Sequence, residues 1–227
     1  MPLERGGTKE TGWLSKWAFQ VGALAADVIG RQAVEDKYIQ KNMIDDIYLK
    51  QVEIFQDVLA ASATVVRSNE DVSAAIPLTF TIDLQPDVPR NLAWAFDSHA
   101  QVTAFTLIIT GTDAKGSTIT DTFTQADGWA GATEKAYATI TSIIMTARTG
   151  TGAGDTVDIG VGSIIGLANN IDAAGDVFKV KKNNADLAAA DYTAEAVNDT
   201  VDVSTGGAIV GGDDFTIWYK TNLHTIA

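Results

Sequence analysis

The 227-residue chain contains no cysteine. That single absence excludes disulfides, thiolate zinc sites and cysteine nucleophiles together, so stability has to come from packing, a bound ion or oligomerisation. Histidine is almost as scarce, with only His99 and His224. His99 lies in "FDSHAQ", where acid, serine and histidine are neighbours in sequence, whereas a catalytic triad brings distant segments together. No apolar run is long enough to span a bilayer, and the N-terminus "MPLERGGTKETGW" carries charge where a signal peptide needs its apolar stretch. The one basic run, "KVKKNN" (residues 179–184), has no interleaved aromatic residue, which argues against nucleic-acid binding. "GVGSIIG" (160–166) lacks both the spacing of a dinucleotide fingerprint and the Gly-Lys-Ser/Thr of a phosphate loop, and reads as the end of a strand.

What the chain has in excess is acid. Asp and Glu number 29 against 16 Lys and Arg, a formal net charge of −13. The excess is uneven: residues 1–60 hold 7 basic and 9 acidic side chains, and the remainder 9 and 20. Such a surface repels nucleic acid and keeps a crowded protein dispersed. With 46% apolar and 20% charged residues the composition is that of a folded chain, neither disordered nor membrane-embedded. Two acidic clusters, Asp155 with Asp158 and Asp213 with Asp214, have the oxygen chemistry for calcium. No EF-hand loop surrounds them, and the expectation is solvated turn acids, with no metal, no cofactor and no catalytic residue.

Residues 1–11 read as a flexible leader. Trp13, Leu14, Trp17, Val21, Leu24, Ala25 and Val28 then recur at three- and four-residue steps up to Gly30, a helical pattern with a C-terminal glycine. Ile44, Ile47, Tyr48, Val52, Phe55 and Leu59 make a second helical stripe. Past residue 62 the period shortens to alternation, with strands expected at 64–67, 78–84, 101–110, 117–124, 136–144, 156–159, 176–181, 200–203 and 214–219. The fold class expected is mainly β: an antiparallel β-sandwich, Ig-like or jelly-roll-like, preceded by an N-terminal α-helical arm. Residues 1–62 would form the leader and arm, 63–166 the sandwich, and 167–227 a C-terminal β-unit packing on or completing it. In "FTLIITGTDAKGSTITDTFT" (105–124), Asp113 to Gly116 fits a type I turn and predicts a hairpin. Asp121 shares the parity of Ile119 and Phe123, and if it lies inward it needs a partner, for which Arg90 and Arg148 are the candidates. Trp13, Leu14, Trp17, Val21 and Leu24 are the candidate partner-binding residues, because paired tryptophans anchor interfaces; packing within the chain is the alternative.

Four segments in order, "PDVPRNLAW" (86–94), the hairpin, "EKAYATITSI" (134–143) and "DTVDIGVGSIIGL" (155–167), resemble a recurrent glycine/threonine-rich module of tailed-bacteriophage virion structural proteins. The likeness covers residues 86–166, and "DFTIWYKTN" (214–222) is similar to the ending of some members. The chain departs from that pattern in Asp121, where members often carry Glu, and in the insertion-like "QADGWAGA" (125–132). The resemblance implies a non-enzymatic head-decoration protein of the virion, assembled in the host cytoplasm. Its partners would be the major capsid protein and other virion proteins, with the chain itself a homotrimer that contacts neither nucleic acid nor membrane. A tail or connector component, and a secreted carbohydrate-binding or adhesive β-module, are the alternatives.

Overall fold

The computed structural model describes residues 48–222. They form fourteen strands: β1 (Tyr48–Val58), β2 (Ser62–Asp71), β3 (Leu78–Thr79), β4 (Arg90–Ser98), β5 (Ala104–Thr112), β6 (Thr118–Thr124), β7 (Ala130–Tyr137), β8 (Thr139–Thr149), β9 (Thr156–Gly166), β10 (Val177–Lys182), β11 (Ala185–Asp186), β12 (Thr193–Glu195), β13 (Thr200–Asp202) and β14 (Asp213–Asn222). Short 3₁₀ turns precede β7 and β10 and follow β13, and no α-helix occurs among the described residues. The chain is thus mainly β, in antiparallel sheets.

The strands build three sheets. The first runs β1-β14-β10-β11, the second β12-β13-β9-β4-β7 with β2 also on β9, and the third β3-β8-β5-β6. Strand β9 holds the second sheet together: residues 156–161 pair with β2, residues 164–166 with β13, and β4 lies along its other edge. Because β9 is enclosed along most of its length, Val157 to Val161 are all buried, and the segment reads as a near-continuous apolar run rather than an alternating one. Its glycines permit that enclosure. A Cβ on Gly160 would sit 1.7 Å from the Ser62 carbonyl oxygen, and one on Gly162 would sit 2.3 Å from Asn91 Oδ1.

Two cores result. Val157, Ile159 and Val161 of β9 join Leu92, Trp94 and Phe96 of β4 against Phe105, Leu107 and Ile109 of β5 and Ile143 and Met145 of β8. Trp94 is the hub of this core, with ring centroids of Phe105 at 5.5 Å and Phe123 at 5.4 Å. Further along β9, Ile165 joins Ala194 and Val201 against Val58, Val180, Phe215, Ile217 and Tyr219, so the first sheet closes over the other end of the second. One strand therefore supplies side chains to both cores.

The hairpin forms as the turn chemistry predicts. Thr112 faces Thr118, the amide of Asp113 donates to the Ser117 carbonyl, and that of Gly116, at φ 82°, donates to the Asp113 carbonyl. The segment around residues 44–59 departs from its expected helix, since residues 48–58 are strand β1 beside β14. Apolar residues spaced by three and four satisfy a helical template, but the β-branched and aromatic content of "QVEIF" (51–55) is also β-favouring, and an adjacent strand decides the outcome. The first helical stripe, residues 13–28, lies outside the described residues. Strand β4 was not foreseen, and the strand expected at 136–144 is divided at Ala138, whose amide donates to the Thr112 carbonyl.

Candidate functional site

Of the acids expected to be solvated, Asp155, Asp158 and Asp213 are instead buried ties for the chain itself, while Asp214 is half-buried. Asp155 Oδ2 accepts from the amides of Gln101 and Val102, each at 2.7 Å, and Oδ1 accepts from Ser98 Oγ at 3.1 Å. Burial raises this carboxyl, but those donors outweigh it and hold it below the usual aspartate range. Asp158 Oδ1 accepts from the amide of Asn69 at 2.6 Å, and burial together with the charge of Asp158 raises the Asp97 carboxyl beside it. Asp213 is held low against its burial by the Val210 amide, by Lys182 Nζ at 2.9 Å and by Asn183 Nδ2 at 2.8 Å. Its neighbour Asp214 accepts from the Asp57 amide. Sequence missed all of this because a turn acid looks the same whether its oxygens meet water or amides. Among the described residues no group of three or more His, Asp or Glu is placed to hold a metal ion.

Arg90 and Arg148 do not serve Asp121. Arg90 is fully buried where the cores meet: Nε donates to the Gly162 carbonyl at 2.9 Å, Nη2 to the same oxygen, and Nη1 to the Leu59 carbonyl at 2.6 Å. Burial lowers its guanidinium from the ordinary value, against the pull of Asp87 at 3.6 Å. Arg148 donates to the carbonyls of Ser73, Ala74 and Gly150. Asp121 is met by Lys135 Nζ at 2.9 Å and Tyr137 Oη at 2.9 Å, both from β7 beside the hairpin. Burial and the adjoining carboxylate raise the Tyr137 phenol well above its ordinary value. The hairpin tip is anchored as well, with Lys115 Nζ donating to Asn170 Oδ1 at 2.8 Å and to buried Asp199.

Two surface features remain. His99 stacks on Trp129, centroids 4.0 Å apart and planes 3° from parallel, so it caps the aromatic core rather than facing a nucleophile. An open depression of about 470 Å³ on the second sheet is lined by Glu134, Ile164, Thr193, Glu195, Val197 and Asp202, among others. Glu195 spends its oxygens on the amides of Val197 and Asn198 and Asp202 one on that of Ser204, and among the described residues no lysine or histidine lines the depression.

On the first sheet the basic run gains the aromatic residue that the linear sequence denied it. Lys179 and Lys181 hold their ammonium groups 5.5 and 5.9 Å from the ring of Trp218, and Lys50 lies 5.8 Å from that of Phe178. Asp186 bridges Lys179 at 3.1 Å and Lys181 at 3.6 Å. One signal was available: in "DFTIWYKTN" Phe215, Ile217 and Tyr219 share a parity, and Trp218 falls on the opposite one. The candidate partner-binding residues Trp13, Leu14, Trp17, Val21 and Leu24, and His224, lie outside the described residues. Compared with protein-family models, with curated proteins and with solved structures, the chain finds no match in any of the three.

Proposed function

We propose that the chain is a non-enzymatic structural protein of a tailed-phage virion, a decoration or cement protein that clamps neighbouring capsid subunits. The observation that carries this reading is where the buried polar groups go. Asp155, Asp199, Asp213 and Arg90 all bind backbone or side chains of their own chain, which makes them part of a rigid scaffold. A cement protein needs that property: it must transmit force across a fixed shape. The two cores, each enclosed between antiparallel sheets, are read as a sandwich of the Ig-like or jelly-roll-like kind, and the order of the motifs in residues 86–166 supports the phage assignment. Several copies would act together, as a trimer at a local threefold axis.

The test is co-expression with the major capsid protein encoded in the same gene neighbourhood. Sedimentation should place the chain on assembled heads and raise the temperature at which they release DNA. Recovery with tails alone would move the assignment to the tail or connector, and absence from every particle fraction would refute it.

A further inference from the structure

We infer that copies of this chain associate head to tail, the lysine–tryptophan face of the first sheet of one copy docking on the acid-lined depression of the second sheet of the next. The inference takes from the proposed function only that copies associate. It starts from parity. In β14, Phe215, Ile217 and Tyr219 enter the core, so Trp218 points away from it. On the neighbouring strands Val52, Ile54 and Phe178 are 49%, 64% and 42% exposed. An outward face with this much apolar area next to a tryptophan is the composition of an interface centre.

Charge selects the occupant. Lys50, Lys179 and Lys181 surround these apolar groups, with Asp186 between the last two offsetting one of the three charges, in a chain whose net charge is −13. On the opposite side of the same core the parity also alternates. Ala194, Val201 and Ile165 point inward, which turns Thr193, Glu195, Asp202 and Ile164 outward into the depression. Glu134 adds a further carboxylate there, and Val197, 87% exposed, adds an apolar contact at its edge. The chain thus presents a basic, aromatic face and an acidic, concave one on opposite sides of one two-layered unit. Two different patches that complement each other make a heterologous contact, which closes into a ring or extends into a filament according to the rotation between copies. Lysines around a desolvated tryptophan strengthen such a contact through cation–π attraction as well as charge.

The experiment uses the full chain in analytical ultracentrifugation at low and high salt. The parent should associate with rising concentration, and less at high salt. A basic-face variant, Lys179→Glu with Lys181→Glu, and an acid-face variant, Glu134→Lys with Val197→Lys, should each associate at least about ten-fold more weakly. Their circular dichroism should match the parent's and their Tm should stay within a few degrees of it, because none of these side chains enters a core and the ion pairs of Lys179 and Lys181 with Asp186 are solvent-exposed. Mixing the two should restore association, since each offers the other an intact face. A monomeric parent at every salt, variants that associate like the parent, or a mixture that stays apart would each overturn the inference. Retention of a monomeric parent on a single-stranded oligonucleotide, abolished by the basic-face variant, would overturn it in favour of nucleic acid. Capsid binding is read separately, so loss of self-association leaves the virion assignment standing or falling on its own test.

Discussion

Replacing Arg90 with methionine removes the guanidinium at the junction of the two cores while nearly keeping the shape. The side chain is fully buried, and its three nitrogens serve two backbone oxygens, those of Gly162 and Leu59. Methionine fills most of the volume and donates nothing, so both carbonyls lose their partner. A hydrogen bond to a charged group contributes about 1.5–3 kcal/mol, which puts the two acceptors together at about 3–6 kcal/mol. Asp87, at 3.6 Å, keeps its bond from the Leu59 amide, and the loss of its longer ion pair with Arg90 adds little. New apolar contacts return about 1 kcal/mol, leaving a net loss of about 2–5 kcal/mol. In a domain of this length each kcal/mol moves Tm by roughly 2–4 °C, so a fall of about 10 °C is expected. Urea titration followed by tryptophan fluorescence gives the free energy directly. Arg90→Lys keeps the charge, reaches one carbonyl at most, and should fall between parent and Arg90→Met. A methionine variant within about 1 kcal/mol of the parent at unchanged m-value would refute the reasoning, since buried carbonyls cannot lose charged donors so cheaply.

Asp155→Asn can keep an oxygen on the amides of Gln101 and Val102 with its NH2 on Ser98 Oγ, but it removes the charge that strengthens these bonds and should cost about 1–2 kcal/mol at neutral pH. Burial raises this carboxyl but its donors prevail and lower it, so its contribution is present above the ordinary aspartate value and is lost as pH falls through the lower folded value; urea titrations stepped into acid should show the gap between variant and parent closing there. Glu53 is the opposite case: burial raises it against hydrogen bonds from Tyr219 and the Ala168 amide, so its stabilisation is present below the ordinary glutamate value and is lost as pH rises through the raised one. Glu53→Gln should therefore match or exceed the parent at neutral pH and flatten that part of the stability profile, whereas a marked loss at neutral pH would show the charge itself to be needed. Gly160→Ala drives a Cβ to 1.7 Å from the Ser62 carbonyl and should cost about 3 kcal/mol or more. Gly175→Ala meets nothing within 4 Å and should stay within about 0.5 kcal/mol of the parent, as read by Tm.

Local chemistry was legible in the sequence where a few adjacent residues settle the matter. The 105–124 hairpin is the clearest instance, because Asp113 and Gly116 set the turn and the turn sets the register of both strands. Alternation likewise placed a strand at 214–219, within β14, and the absence of cysteine closed off whole classes of chemistry, whereas the change to β structure expected after residue 62 comes earlier, with β1 at Tyr48–Val58. Strand β1 was misread because its apolar residues fall on both faces, Val52 and Ile54 outward and Phe55 toward the core, so the spacing showed no alternation, and only its place beside β14 marks it as a strand. Asp155 and Asp213 were misread because a carboxylate's surroundings are made by distant segments: amides 53 and 54 residues away for one, Asn183 and Lys182 for the other. The same holds for Arg90, whose acceptors lie 31 and 72 residues away. Trp218 stands some forty residues from Lys179 in sequence and opposite it in register, so the lysine–tryptophan face exists only once β10 and β14 pair. Sequence alone fixed which residues favour strands and turns, since those preferences act over a few bonds. Tertiary structure decided which charges are buried and which faces meet solvent, since desolvation and hydrogen bonding depend on neighbours that the chain brings together only by folding.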